Sequence, residues 1–114
     1  MKIILPLIST DENAVISVPF GHARALMIYD SEQKTKNVFE NSFQGISLIS
    51  YIIEEKIDAV VCLHINKKAF MMLEAENVKV YDAMREDVVD NILENFENLE
   101  PITMENIHNY QGHH

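Results

Sequence analysis

The sequence predicts an α/β fold built on a mixed, five-stranded sheet, and three observations support this. The stretch from Asp58 to Asn66 contains an apolar run at residues 59–63 without polar alternation, which is typical of a strand covered on both faces. Strand-like and helix-like segments alternate in the second half, which implies parallel strands joined by right-handed crossovers. Two strand-like runs flank the polar residues 31–36 in the first half, and this pattern indicates an antiparallel hairpin.

The predicted order of elements is βββαβαβα. The predicted strands are residues 2–8, 25–30, 37–41, 58–64 and 78–82. Apolar residues recur at spacings of three and four in the predicted helices, which are residues 45–56, 66–76 and 88–96. We expect Asn66 to cap the second helix, because its side chain can accept a hydrogen bond from a free backbone amide.

The chain has 114 residues, enough for one domain with its own core. We place a single domain at residues 1–98 and an acidic, histidine-containing C-terminal tail at residues 99–114. The only cysteine excludes an internal disulfide and agrees with a reducing compartment.

Charge and hydropathy exclude several classes of partner. The formal net charge is -9 with only nine Lys and Arg residues, which argues against binding to nucleic acid or to an anionic membrane surface. No segment approaches the ~20 apolar residues of a membrane-spanning helix. The N-terminal residues lack the pattern of a signal peptide. We therefore expect a cytoplasmic protein, and its oligomeric state stays open.

Several short motifs resemble one known family. They are Met1-Lys-Ile-Ile-Leu-Pro6, Ser17-x-x-Phe20-Gly21-x-Ala23, Glu40-Asn41, residues 58–61, Ile65 with Ala69, and Val78-Lys-Val-Tyr81. This pattern resembles the dinitrogenase iron-molybdenum cofactor biosynthesis proteins of the NifX type. The resemblance implies a ribonuclease H-like three-layer sandwich. It also implies an accessory or carrier protein that binds an iron-sulfur or iron-molybdenum cluster and serves a metallocluster client protein.

The sequence departs from this family pattern in two loops. Relatives usually have His-Phe-Gly-Arg where this chain has Pro19-Phe20-Gly21-His22. They tend to have Gly-Gly-Ile-Gly where this chain has Leu63-His64-Ile65-Asn66. Glycines let a backbone approach an anion closely, so the second change weakens such a cradle. A regulatory or protein-interaction module that has lost its ligand site is therefore the alternative interpretation.

Candidate binding residues gather in the loop at 17–24 and at the end of the fourth predicted strand. In an open α/β sheet, ligands bind at the carboxyl ends of the strands. A thiolate and imidazoles suit iron, copper, zinc or a cluster edge, so the candidate metal ligands are Cys62, His64 and His22. The wider candidate cofactor-binding set is Phe20, Gly21, His22, Arg24, His64 and Asn66.

These residues also have ordinary structural interpretations. Free cysteines are commonly small buried hydrophobes, which favours burial over ligation for Cys62. For His64 and His22 the sequence favours neither ligation nor a local hydrogen bond. In the tail, His113 and His114 are metal-capable, and the remnant of an expression tag is a competing account of them. No nucleophile with a base and no tuned carboxylate pair is visible, so we interpret the protein as a binder and not as an enzyme.

Overall fold

The computed structural model describes residues 1–11, 15–17, 20–83 and 88–107. The strands are β1 (Lys2–Leu7), β2 (Ala25–Asp30), β3 (Thr35–Glu40), β4 (Ala59–Cys62) and β5 (Lys79–Asp82). The α-helices are α1 (Ile46–Glu54), α2 (Lys67–Ala75) and α3 (Val89–Glu94), and short 3-10 turns lie at Phe20–His22 and Phe96–Asn98. An α/β fold with a five-stranded mixed sheet and three helices is therefore confirmed within the described residues.

The strands lie in the order β3-β2-β1-β4-β5. β2 pairs antiparallel with both β1 and β3, which is the hairpin predicted for the first half. β4 pairs parallel with β1 and with β5, as the alternation of strands and helices in the second half predicts. β1 occupies the middle of the sheet, and β4 lies beside it with all four residues buried.

Helices cover both faces of the sheet, and each face has its own core. One core joins α1 and α2 to strand residues that include Ile4, Leu26, Val60, Cys62 and Val80. The other joins α3 to strand residues that include Ile3, Leu5, Met27 and Val61. Because neighbouring strand residues point to opposite faces, the apolar runs of β1 and β4 supply both cores. Full burial of each large aliphatic side chain contributes about 1.5–3 kcal/mol.

The entries to α1 and α2 use different devices. Gly45 precedes α1 with φ 56° and ψ -123°, a conformation that is open essentially only to glycine. Asn66 precedes α2, and its Oδ1 accepts a hydrogen bond from the amide of Ala69 at 2.8 Å. The prediction that Asn66 caps the second helix is confirmed.

The described part of the predicted tail, residues 99–107, packs against the domain. The amide of Asp82 donates to the carbonyl of Glu100 at 2.9 Å, and that of Ile102 donates to the carbonyl of Val80 at 2.8 Å. Ile102 and Ile107 are only 4% and 3% exposed. This segment thus covers the outer edge of β5, and the division at residue 98 stays a prediction. The histidines at 108, 113 and 114 lie outside the described residues.

None of the helices in the described ranges combines the length and the apolar composition that crossing a bilayer requires.

Candidate functional site

Two segments that carry candidate residues meet beyond the carboxyl ends of β1 and β4. These strands are parallel neighbours, so their carboxyl ends share one edge of the sheet. The amide of Phe20 donates to the carbonyl of His64 with an N–O distance of 3.1 Å. We call residues 20–24 and 63–66 the loop junction. The structure therefore brings together the two regions that sequence analysis singled out.

The first half of the loop junction is held firmly and presents an exposed tip. The Phe20 ring is only 3% exposed and belongs to the core under α1 and α2. At the other end, the amide of Arg24 donates to the carbonyl of Leu7 at 3.1 Å. Between these two anchors the chain exposes Gly21 and His22, and the side chain of Arg24 is exposed as well. A ligand can therefore reach an imidazole and a guanidinium without disturbing the core.

Asn41 is a functional candidate that sequence analysis did not single out as a site residue. Its Nδ2 donates to the carbonyl of Ala23 at 2.9 Å, and its Oδ1 accepts from the amide of Phe43 at 2.9 Å. Asn41 thus fixes the 20–24 loop to the end of β3. An asparagine at a strand end, followed by a turn, is the signal that could have identified it.

His64 has an unsatisfied polar atom at the loop junction. Its side chain is partly buried, and its Nδ1 is inaccessible to solvent without a hydrogen-bond partner. A buried polar atom without a partner costs about 1–3 kcal/mol. A side-chain rotation that exposes this nitrogen to a ligand would recover that cost.

Cys62 lies in the interior. Its side chain is 0% exposed and belongs to the core that contains Phe20, Ile65 and Phe70. Burial raises the pKa of the Cys62 thiol, and the negative charge of Asp82 raises it further. Since the thiolate is the form that binds metals, this environment keeps the sulfur in its non-binding form.

The alternation of β4 does not extend from Cys62 to His64. Residues two apart share a face only while the strand continues, and β4 ends at Cys62 with a bend at Leu63. In the described part of the chain, no three His, Cys, Asp or Glu side chains are grouped closely enough to hold a metal ion. The set Cys62, His64 and His22 is therefore not assembled as one metal centre.

The second half of the loop junction leads into the N-terminus of α2. The Asn66 side chain is engaged as the helix cap, so its oxygen serves the fold. Lys67 and Lys68 are exposed in the first turn, which contains no acidic residue. Together with Arg24 they place positive charge near this edge of a chain whose net charge is -9. Such a local charge favours an anionic ligand.

Comparison with known proteins gives one family and several similar structures. The model of the family described as dinitrogenase iron-molybdenum cofactor matches residues 1–99. The search of curated proteins found no match.

Three solved structures share the fold. A Thermotoga protein assigned as NifB is 24% identical with a TM-score of 0.75, and the match covers 91% of this chain and 97% of that one. A Methanocaldococcus jannaschii protein assigned as a dinitrogenase is 22% identical with a TM-score of 0.71, covering 90% and 95%. The apo orange protein from Desulfovibrio gigas is 16% identical with a TM-score of 0.76, covering 90% and 96%. At these identities the likeness shows the fold alone.

Proposed function

The chain belongs to the dinitrogenase iron-molybdenum cofactor family, and we propose that it is a non-enzymatic accessory protein that carries an anionic iron-sulfur or iron-molybdenum cluster to a client protein. The observation that carries this proposal is the buried, unpartnered Nδ1 of His64 at the loop junction. Imidazole nitrogen is a suitable ligand for iron. The proposal thus assigns the contact with the cargo to His64, whose side chain must rotate to bring a ring nitrogen from its buried position to the cargo.

The other side chains of the loop junction suit a cargo that brings its own sulfide ligands. The only thiol of the chain is buried and held neutral, so the protein does not offer a thiolate there. His22 is exposed on the 3-10 turn and supplies a second imidazole. A Cβ added to Gly21 would meet nothing within 4 Å, so the backbone there has open space for a ligand. Arg24 adds attraction for an anion. A carrier must release its cluster to the client protein, and a site with few protein ligands holds the cluster loosely enough for that release.

The finer description of the fold and location is part of the same proposal. The antiparallel first half, the parallel second half and the helices on both faces support a ribonuclease H-like sandwich. Cytoplasmic location is an expectation that follows from the composition and from the reducing compartment that one unpaired cysteine favours.

Anaerobic reconstitution tests the proposal. The protein is incubated with ferrous iron, sulfide and molybdate, desalted without oxygen, and read by visible absorbance and metal analysis. Wild type should retain a coloured, metal-containing species. His64→Ala should lose most of it, because the nitrogen that gains a partner is removed, and His22→Ala should lose less.

Two control variants separate this site from other metal-binding groups. Cys62→Ala should retain the cluster, since its thiol lies in the core. A variant with alanine at His108, His113 and His114 should also retain it, because the proposal assigns no role to the tail. Retention by His64→Ala at the wild-type level would refute the site, and loss in the tail variant would assign binding to the tail.

The second candidate function is a regulatory or protein-interaction module without a ligand. The burial of Cys62 and the lack of a three-residue metal group among the described residues favour it. A ligand of the native state raises stability by mass action. A melting temperature that does not move with iron, iron and sulfide, or molybdate, together with a colourless reconstituted protein, would decide for this alternative.

A further inference from the structure

The two edge strands of the sheet, β3 and β5, differ in whether another segment covers their outer side. The outer edge of β5 is covered by residues 100–102. The Glu100 carbonyl accepts from the amide of Asp82, and the Ile102 amide donates to the carbonyl of Val80. The outer edge of β3 has no neighbouring strand among the described residues, although β3 is six residues long. An unpaired strand edge is a template for pairing with another strand.

The backbone register shows which groups of β3 face outward. The amide of Asn41 donates to the carbonyl of Arg24 across the β2–β3 hairpin. Hydrogen-bonded positions alternate along an antiparallel pair, so residues 35, 37 and 39 direct their backbone groups toward β2. Lys36, Val38 and Glu40 therefore direct their amides and carbonyls to the open side.

We propose that β3 pairs antiparallel with β3 of a second copy of this chain, with the two Val38 residues facing each other on a two-fold axis. In that register Lys36 of each copy lies opposite Glu40 of the other. All three outward-facing residues of each strand then form hydrogen-bonded pairs. The result is one continuous sheet with ten strands, five from each copy.

The charges of the edge are complementary to themselves in this register. Lys36 and Glu40 are both exposed, and the two-fold axis places each beside its opposite charge. A register shifted by two residues in either direction pairs fewer of the outward-facing residues and no longer places Lys36 opposite Glu40. Opposite charges directly across an antiparallel pair are stabilising, and like charges are destabilising.

The opposite face of the same edge contributes apolar contact. Phe39 packs edge-on against Tyr51 with centroids 6.0 Å apart, and Phe43 lies 4.6 Å from Tyr51. These rings are partly exposed, and the pairing brings the two Phe39 side chains into diagonal positions across the axis. Burial of partly exposed aromatic surface adds to the backbone hydrogen bonds.

Two features limit the strength of the association. Each copy carries a net charge of -9, so the copies repel each other at long range. Lys36 is already paired with Asp90 of its own chain, and it would share its charge with the Glu40 of the other copy. A reversible dimer that dissociates on dilution is therefore expected, independently of what the loop junction binds.

Analytical ultracentrifugation of the full chain over a wide concentration range tests the proposal. Wild type should show a monomer–dimer equilibrium. Lys36→Glu and Glu40→Lys should each weaken it by about tenfold or more, because two symmetric attractions become repulsions. An equimolar mixture of these two variants should recover association, and so should the K36E/E40K double variant, because opposite charges again face each other.

Val38→Pro supplies a test that does not depend on charge. Its amide faces outward, so proline removes the hydrogen bonds on the axis and leaves the ladder to β2 intact. It should be monomeric with an unchanged circular dichroism spectrum, and Val38→Thr should still associate. Wild type that stays monomeric at every concentration would overturn the proposal. So would single charge variants that associate as strongly as wild type, or a mixture that does not recover.

Discussion

Replacing Cys62 with alanine should make the stability of the protein less sensitive to alkaline pH. The thiol is fully buried, and burial together with the charge of Asp82 raises its pKa above the ordinary value of 9.0. Above that pH the unfolded chain releases the thiol proton while the folded protein keeps it. The stabilising contribution is thus complete below pH 9.0 and is lost as the pH rises from there toward the pKa of the folded state.

The size of the effect follows from the proton released on unfolding. Wild type should lose about 1 kcal/mol of unfolding free energy between pH 9 and pH 10 from this group alone, and about 1.4 kcal/mol for each further pH unit. Cys62→Ala should lose none of this. At neutral pH the variant should be less stable by about 1–2 kcal/mol, because a buried side chain is truncated.

Urea unfolding of both proteins at pH 7, 9 and 10, followed by circular dichroism, measures the difference directly. Tyrosine and lysine residues titrate in both proteins, so their effects cancel in the comparison. Parallel pH profiles would refute the burial of a neutral thiol. Rapid reaction of the native protein with a chromogenic disulfide at neutral pH would refute it as well, because only an accessible thiolate reacts fast.

Further predictions concern four positions that shape the site and its surroundings: Gly45, Gly21, Asn66 and Ile102. Gly45→Ala should lower the free energy of unfolding by about 1–3 kcal/mol, since alanine must adopt a strained backbone conformation there. Gly21→Ala should change the melting temperature little, because its added Cβ meets nothing within 4 Å. Asn66→Ala should lower the free energy of unfolding by about 1 kcal/mol through loss of the helix cap. Asn66→Asp should retain most of the stability that the cap provides, because a carboxylate oxygen also accepts from the helix amide. Ile102→Ala should cost about 2–5 kcal/mol in urea unfolding, and a cost near zero would show that the 99–107 segment does not pack in solution.

Much of the sheet was predictable because its buried strands lack polar residues. β4 has no alternation, and the structure buries all four of its residues between two helical layers. β3 was harder, since the prediction began at residue 37 and the strand begins at Thr35. Thr35 and Lys36 lie exposed on an edge, where burial imposes no apolar pattern on the sequence.

The candidate site was only partly predictable, for a physical reason. The hydrogen bond between the Phe20 amide and the His64 carbonyl is formed by backbone groups, which leave no signature in residue types. The bend at Leu63 likewise depends on where β4 stops pairing with β5, at Cys62 and Asp82. The residue types therefore indicated both loops but not the backbone contact between them.

The packing of residues 99–107 shows the same limit. Leu99, Ile102 and Ile107 have no helical or strand periodicity, so their spacing predicts no element. They are buried because the segment follows the edge of β5 and reaches both cores. Contacts of this kind depend on tertiary structure and not on local pattern.

The most direct test of the central claim is a nitrogen-15 NMR spectrum of the histidine side chains, recorded without oxygen before and after addition of iron, sulfide and molybdate. Cluster binding at the loop junction should shift or broaden the signals of the His64 ring nitrogens first, together with that of the Phe20 amide, which donates to the backbone carbonyl of His64. Unchanged His64 signals, with changes confined to the tail histidines, would contradict the account.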